Sequence, residues 1–230
     1  PIPFYGTFDE SFLKIPHEVL TTTMKKHQKY FPVRDSNGRL KPFFVGVSNN
    51  RASSMDVVRE GNERVLRARL SDAAFFWNED LKRSLAGRVE ELKHIIHHEK
   101  LGSVYDKVKK TQELARWITS SLQRPELLPL VERAAFLSKA DLVTEMVYEF
   151  PELQGVMGRE YALRDKEPEA VAQAIYEQYL PKFAGDTLPK GLPGAILGIA
   201  ERIQIIVSCH GIGLVPTGSQ DPYALRRAAR

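Results

Sequence analysis

The chain has 230 residues, 43% hydrophobic and 27% charged, which suits one large domain or two smaller ones and excludes a disordered or fibrous chain. The net charge of +4 is a mild basic excess that favours an anionic partner. One cysteine, Cys209, excludes an internal disulfide and a cysteine-rich zinc site, and its apolar surroundings predict a buried thiol.

In chain order, residues 2–5 (IPFY) read as β-rich and residues 17–27 (HEVLTTTMKKH) have helical spacing. Two apolar runs, 29–33 and 43–48, flank Asp35-Ser-Asn-Gly38, whose turn chemistry predicts a reversal between antiparallel strands. Residues 1–50 are therefore expected to form a small α/β segment.

Beyond Asn50 apolar residues recur three or four apart, and a helical domain is expected over 51–230. Helices are predicted over 57–70, 72–85 and 89–98, then over 104–122 with Ser103 as N-cap. A helix apolar on more than one face is predicted over 131–150, followed by helices over 167–179 and 194–209 around a Gly- and Pro-rich loop. Residues 224–230 (ALRRAAR) read as helix without a stop signal, and the chain lacks an initiator Met, so it is expected to be an internal piece of a longer polypeptide.

No apolar run approaches the roughly 20 residues of a membrane span, and the N-terminus has no signal-peptide pattern, so a cytoplasmic protein without a membrane partner is expected. A phosphate-loop motif and a G-x-S-x-G elbow are absent, and Gly211-Ile-Gly213 follows a helix, unlike a dinucleotide fingerprint.

Two chemistries remain. His94 and His98, four apart on the predicted helix, could present two imidazoles to a metal with Asp106, Asp141 or Glu145 as a further ligand, although Ile95 stands where a zinc-protease motif has Glu. A helix-terminal set of histidines is the simpler account. Basic residues interleaved with aromatics suit RNA, because cations meet phosphates and rings stack on unpaired bases. The candidates are Lys25, Lys26, Lys29, Tyr30 and Arg34, with Phe31 beside them; Arg64, Arg67 and Arg69 ahead of Phe75, Phe76 and Trp77; Lys107, Lys109 and Lys110 at a helix start; and Arg226 and Arg227. Lysines at a helix start oppose the dipole, and an anionic partner would account for them. On composition alone a solvated basic face accounts for these residues more simply.

Several long words add a resemblance. Residues 27–33 (HQKYFPV), 61–78 (GNERVLRARLSDAAFFWN), 137–150 (LSKADLVTEMVYEF), 154–158 (QGVMG), 179–186 (YLPKFAGD) and 221–227 (DPYALRR) together resemble the β subunit of bacterial heterotetrameric glycyl-tRNA synthetase. The resemblance implies an α2β2 assembly in which a separate α subunit holds the glycine and ATP site, while β binds and positions tRNA for glycine. It implies no catalytic site and no cofactor in this part of the chain, ATP being used through the α subunit.

It further implies a mainly α fold in which a helical HD-like domain over 51–230 follows the small α/β segment. The HD metal motif is degenerate here: its His-Asp pair falls at Ala140-Asp141, and the region where its last Asp is expected, residues 200–204, reads AERIQ, without an Asp. Without converging imidazole and carboxylate ligands, metal-dependent phosphohydrolase chemistry on His94, His98 and Asp141 is the lesser alternative. Asp141 is then expected to be structural, pairing with Lys139 or capping a neighbouring helix. A third reading is an assembly scaffold for the α subunit.

Overall fold

A computed structural model describes residues 1–50, 52–217 and 220–229. The chain is mainly helical with a small N-terminal sheet, and it divides into two units, residues 1–82 and 83–230.

In the first unit, β1 (Ile2–Thr7), β2 (Phe31–Arg34) and β3 (Leu40–Ser48) form an antiparallel sheet in the order β1-β3-β2. The expected hairpin is present. Its reversal is built by Asp35, whose carboxylate accepts from the backbone N–H of Asn37 at 3.0 Å and of Arg39 at 2.9 Å, while Gly38 takes the left-handed φ of 78°. Between β1 and β2 the chain makes helix α1 (His17–Thr22), continued by one π-helical turn, Thr23–His27.

Strand alternation buries Phe44 on one face of the sheet, stacked on Tyr30 with centroids 4.5 Å apart and edge-on to Phe4 at 6.3 Å. Gly6 and Gly46 make this packing possible. A Cβ on Gly6 would lie 2.5 Å from the Phe44 ring, and one on Gly46 would lie 2.4 Å from the Phe4 ring.

Helix α2 (Met55–Asp80) belongs to this unit. It is one helix where two were expected, because buried Leu66, Leu70, Ala73 and Trp77 continue a single stripe across Ser71. Glu63 ties it to β1 by accepting from the Thr7 backbone N–H at 2.8 Å and hydroxyl at 3.1 Å. Those contacts hold α2 to the sheet within the unit that ends at Lys82.

The second unit opens with a 3-10 segment, Ala86–His94, where an α-helix over 89–98 was expected. Ile95 is extended and its carbonyl accepts from Val104 N–H at 2.8 Å, so the chain turns into β4 (Ile96–His98), paired with β5 (Gly102–Ser103). Helix α3 (Val104–Ser121) starts at the predicted Ser103 with a complete capping box to Asp106.

The expected helix over 131–150 is three pieces: α4 (Leu128–Leu137), a 3-10 turn (Ala140–Val143) and α5 (Glu145–Glu149). Thr144 breaks it, donating to Asp141 O at 2.6 Å and accepting from Val147 N–H at 3.3 Å as the N-cap of α5. Helix α6 (Val156–Arg164), unforeseen, precedes α7 (Glu169–Glu177) and α8 (Leu192–Gly211). The terminal helix α9 is short (Leu225–Ala228) and begins after Ala224 at φ 53°. Ala115, Val131, Ile196 and Ala200 form a buried core where α3, α4 and α8 meet.

Helix α8 is, at 20 residues with mean hydropathy 1.4, long and apolar enough to cross a membrane by length and composition, which a count of uninterrupted apolar residues had missed. Its middle carries Glu201, whose partners lie on α3 and just after α4. That is the pattern of a core helix. Cys209 is buried, as expected, and burial raises its thiol pKa.

Candidate functional site

The predicted basic residues have different fates. Lys25, Lys26 and Lys29 are exposed on and just after the π-helical turn, with Lys29 Nζ donating to Lys26 O at 2.8 Å. Arg34 is exposed but closes the hairpin, donating to Gly38 O at 2.7 Å. Arg64, Arg67 and Arg69 are exposed on α2, outside the buried Leu66–Leu70 stripe. Arg64 and Arg67, three apart, share a face, whereas Arg69 points elsewhere.

Tyr30 does not belong with them. It is 7% exposed, its ring is stacked on Phe44, and its hydroxyl is hydrogen-bonded to Asn62. Strand parity explains the error: consecutive residues entering β2 point to opposite faces, so Tyr30 goes in and Phe31, 60% exposed, goes out.

Lys107 is also removed from the surface set, because its side chain, 11% exposed, is ion-paired to Glu201 at 2.7 Å. The anion that its position near the start of α3 calls for lies within the unit. Lys109 leans over the Tyr105 ring at 5.5 Å, and Lys110 is exposed. Arg226 donates to Thr217 O, and Arg227 approaches Lys182 O at 3.3 Å.

The region of the degenerate HD motif is an internal ion cluster. Glu201 Oε1 receives Lys107 Nζ at 2.7 Å and Lys139 Nζ at 3.2 Å, and Lys139 also donates to Tyr179 Oη at 2.9 Å. Although burial alone would raise its pKa, the two ammonium groups hold the Glu201 carboxyl down at about 2. Burial lowers the Lys139 pKa, against the pull of Glu201.

Asp141 is wholly buried, and its Oδ2 accepts from the backbone N–H of Gly155 at 2.6 Å and Gly158 at 3.2 Å, capping α6 as expected of a structural residue. Desolvation pushes its pKa up to about 6, against the pull of those N–H groups and of Lys139.

The metal alternative does not fit. His94 ends the 3-10 segment and His98 ends β4, so they never share a helical face, and Nδ1 of His98 accepts from Lys100 N–H at 3.0 Å. Asp141 Oδ2 is committed to α6. Among the described residues no group of three or more His, Cys, Asp or Glu side chains is placed to hold a metal.

Phe31, named only beside the candidates, and Tyr5 and Phe43, not among them, are exposed on the sheet by 60%, 66% and 42%. The period-two alternation of β1 and β3 was the signal that could have found them.

Comparison with known proteins adds a finding along the whole chain. A family model described as glycyl-tRNA synthetase beta subunit matches residues 1–230. Over all of this chain, the glycine–tRNA ligase β subunits of Syntrophomonas wolfei and Halothermothrix orenii are 54% and 56% identical, and that of Bacillus subtilis is 51% identical. The chain covers 33% of the first of these and 34% of the other two, about a third of the length of each.

Proposed function

We propose a function from the premise that this chain belongs to the glycyl-tRNA synthetase β-subunit family. It is the part of a cytoplasmic glycine–tRNA ligase β subunit that engages tRNA for glycine, while a separate α subunit, in an α2β2 assembly, uses ATP and performs the ligation. The observation that carries this reading is a set of exposed cations in the first unit, Lys25, Lys26, Arg64 and Arg69, with no ion-pair partner among the described residues. A cation left in water keeps its full capacity to release counterions from a phosphate backbone. Phosphate contacts of this kind position RNA without reading its sequence.

Titration of the chain with tRNA for glycine and with an unrelated tRNA, at two salt concentrations, tests the reading. Combined Lys25→Ala, Lys26→Ala, Arg64→Ala and Arg69→Ala substitution is expected to weaken binding. It should also flatten the salt dependence by about 0.7–0.9 log units per lost contact. Binding and slope equal to those of the parent chain would overturn it.

One observation favours an additional role in docking the α subunit: α8 exposes Ile199, Ile203 and Val207, and the first two line a hollow together with exposed Phe183 and Leu188 of the preceding loop. Such a face is compatible with tRNA engagement elsewhere on the chain. Co-purification with the α subunit in the absence of tRNA, lost on Ile199→Asp and Ile203→Asp, tests it.

A further inference from the structure

We propose that the open face of the three-stranded sheet is a stacking platform for unpaired nucleotides of RNA, a proposal that rests on the tRNA-engaging reading and specifies which part of the RNA is held. Three aromatic rings define it. In the register of the sheet Tyr5 and Phe31 both sit opposite Val45, one from each neighbouring strand, and Phe43 lies two residues along β3 on the same face. Tyr5 and Phe31 are thus two strand spacings apart, about 10 Å, and Phe43 is about 7 Å along the central strand from their row. This spacing gives each base its own ring, with Val45 and Val47 as the apolar floor between them.

The rings are available and firmly backed. Tyr5, Phe31 and Phe43 are 66%, 60% and 42% exposed, whereas the opposite face is closed by Phe44 against Tyr30 and Phe4, with Gly6 and Gly46 admitting the rings at van der Waals range. A planar side chain on a fixed strand loses little freedom when a base stacks on it.

Charge selects the occupant. Among all residues of β1, β2 and β3 the charged ones are Arg34 and Lys41, with no carboxylate, so the strands offer cations to a phosphodiester backbone and nothing that repels it. The Lys41 side chain stays 48% exposed even with Asp35 at 3.4 Å. Residues 1–82 carry thirteen Lys and Arg against ten Asp and Glu. Aromatic faces combined with a basic rim are the recurring composition of single-strand RNA surfaces, since every base has a π-face.

The test replaces each ring by leucine, which keeps apolar area and removes the π-face. Parent chain and a Tyr5→Leu, Phe31→Leu, Phe43→Leu variant are titrated with a fluorescent single-stranded oligoadenylate, an RNA duplex of the same length, and tRNA for glycine. The parent is expected to prefer the single strand, and the variant to lose single-strand affinity by about 5- to 150-fold per ring that stacks. Duplex binding and melting temperature should stay unchanged. Undiminished single-strand binding by the leucine variant overturns the proposal and marks the face as apolar cover for another protein surface. Binding of tRNA without binding of oligoadenylate also overturns it while leaving the tRNA reading intact; binding of neither removes both.

Discussion

One set of cations in each unit meets an opposite fate. In residues 1–82 Lys25, Lys26, Arg64 and Arg69 project into solvent with no acid paired to them among the described residues, whereas in residues 83–230 Lys107 and Lys139 turn inward onto one carboxylate, Glu201. The totals do not foretell this, for the second unit has twenty basic and nineteen acidic residues and the first thirteen and ten. What decides is whether the fold delivers a carboxylate within reach. Basic residues of similar sequence texture can thus serve a partner in one unit and hold the fold together in the other.

The comparison breaks most easily at Glu201. Removing it by Glu201→Ala leaves two buried ammonium groups without their anion and is expected to cost about 3–5 kcal/mol in urea unfolding. A loss below about 1 kcal/mol would mean that the inward cations are not held there by that pair.

Acidity probes the same cluster with a defined sign. The Glu201 carboxyl is lowered from 4.5 to about 2, so its contribution is complete above pH 4.5 and is lost as pH falls toward 2, amounting to about 3 kcal/mol. The Asp141 carboxyl is raised from 3.8 to about 6, so its ionisation erodes stability as pH climbs through that interval, again by about 3 kcal/mol. Asp141→Asn should abolish the second slope and spare the first, as read from unfolding at a series of pH values. Asp141→Ala, which leaves the Gly155 and Gly158 N–H groups without an acceptor, is expected to cost about 1–3 kcal/mol below pH 3.8, where the parent carboxyl is protonated folded and unfolded, and less as pH rises through 6.

Tyr30→Phe sharpens the comparison within the first unit. Loss of its hydroxyl bond to Asn62 should cost about 1 kcal/mol and leave RNA affinity untouched, because the ring is core. The smallest stability change, within about 0.5 kcal/mol, is expected for Lys25→Ala with Arg64→Ala, whose effect belongs to RNA binding. A large change in melting for that pair would place those cations with the inward ones.

Local chemistry was legible in the sequence: the turn at Asp35-Ser-Asn-Gly38, the Ser103 cap and the buried Cys209 each depend on a few neighbouring residues. The capping role of Asp141 was legible as one of two options. Contacts across long separations were not. The partner of Lys107 is Glu201 on α8, and no periodicity joins them. The split of 131–150 likewise depends on Thr144 finding its bonds within the turn, against an apolar pattern that favours one continuous helix. Tyr30 and Phe31 show the limit most simply. Composition treats them alike, and the register of β2 separates core from surface.

Gly6 and Gly46 carry a consequence for how this sequence can drift. Even alanine at either position drives a methyl group into a Phe ring, while Tyr5 and Val47, their near neighbours on the other face, meet no such constraint from folding. A substitution library sorted for soluble protein alone should therefore hold the two glycines fixed and let the outward aromatics wander. The same library sorted for growth on the working enzyme should hold both, and the positions that differ between the two sortings would mark the surface the molecule keeps for others.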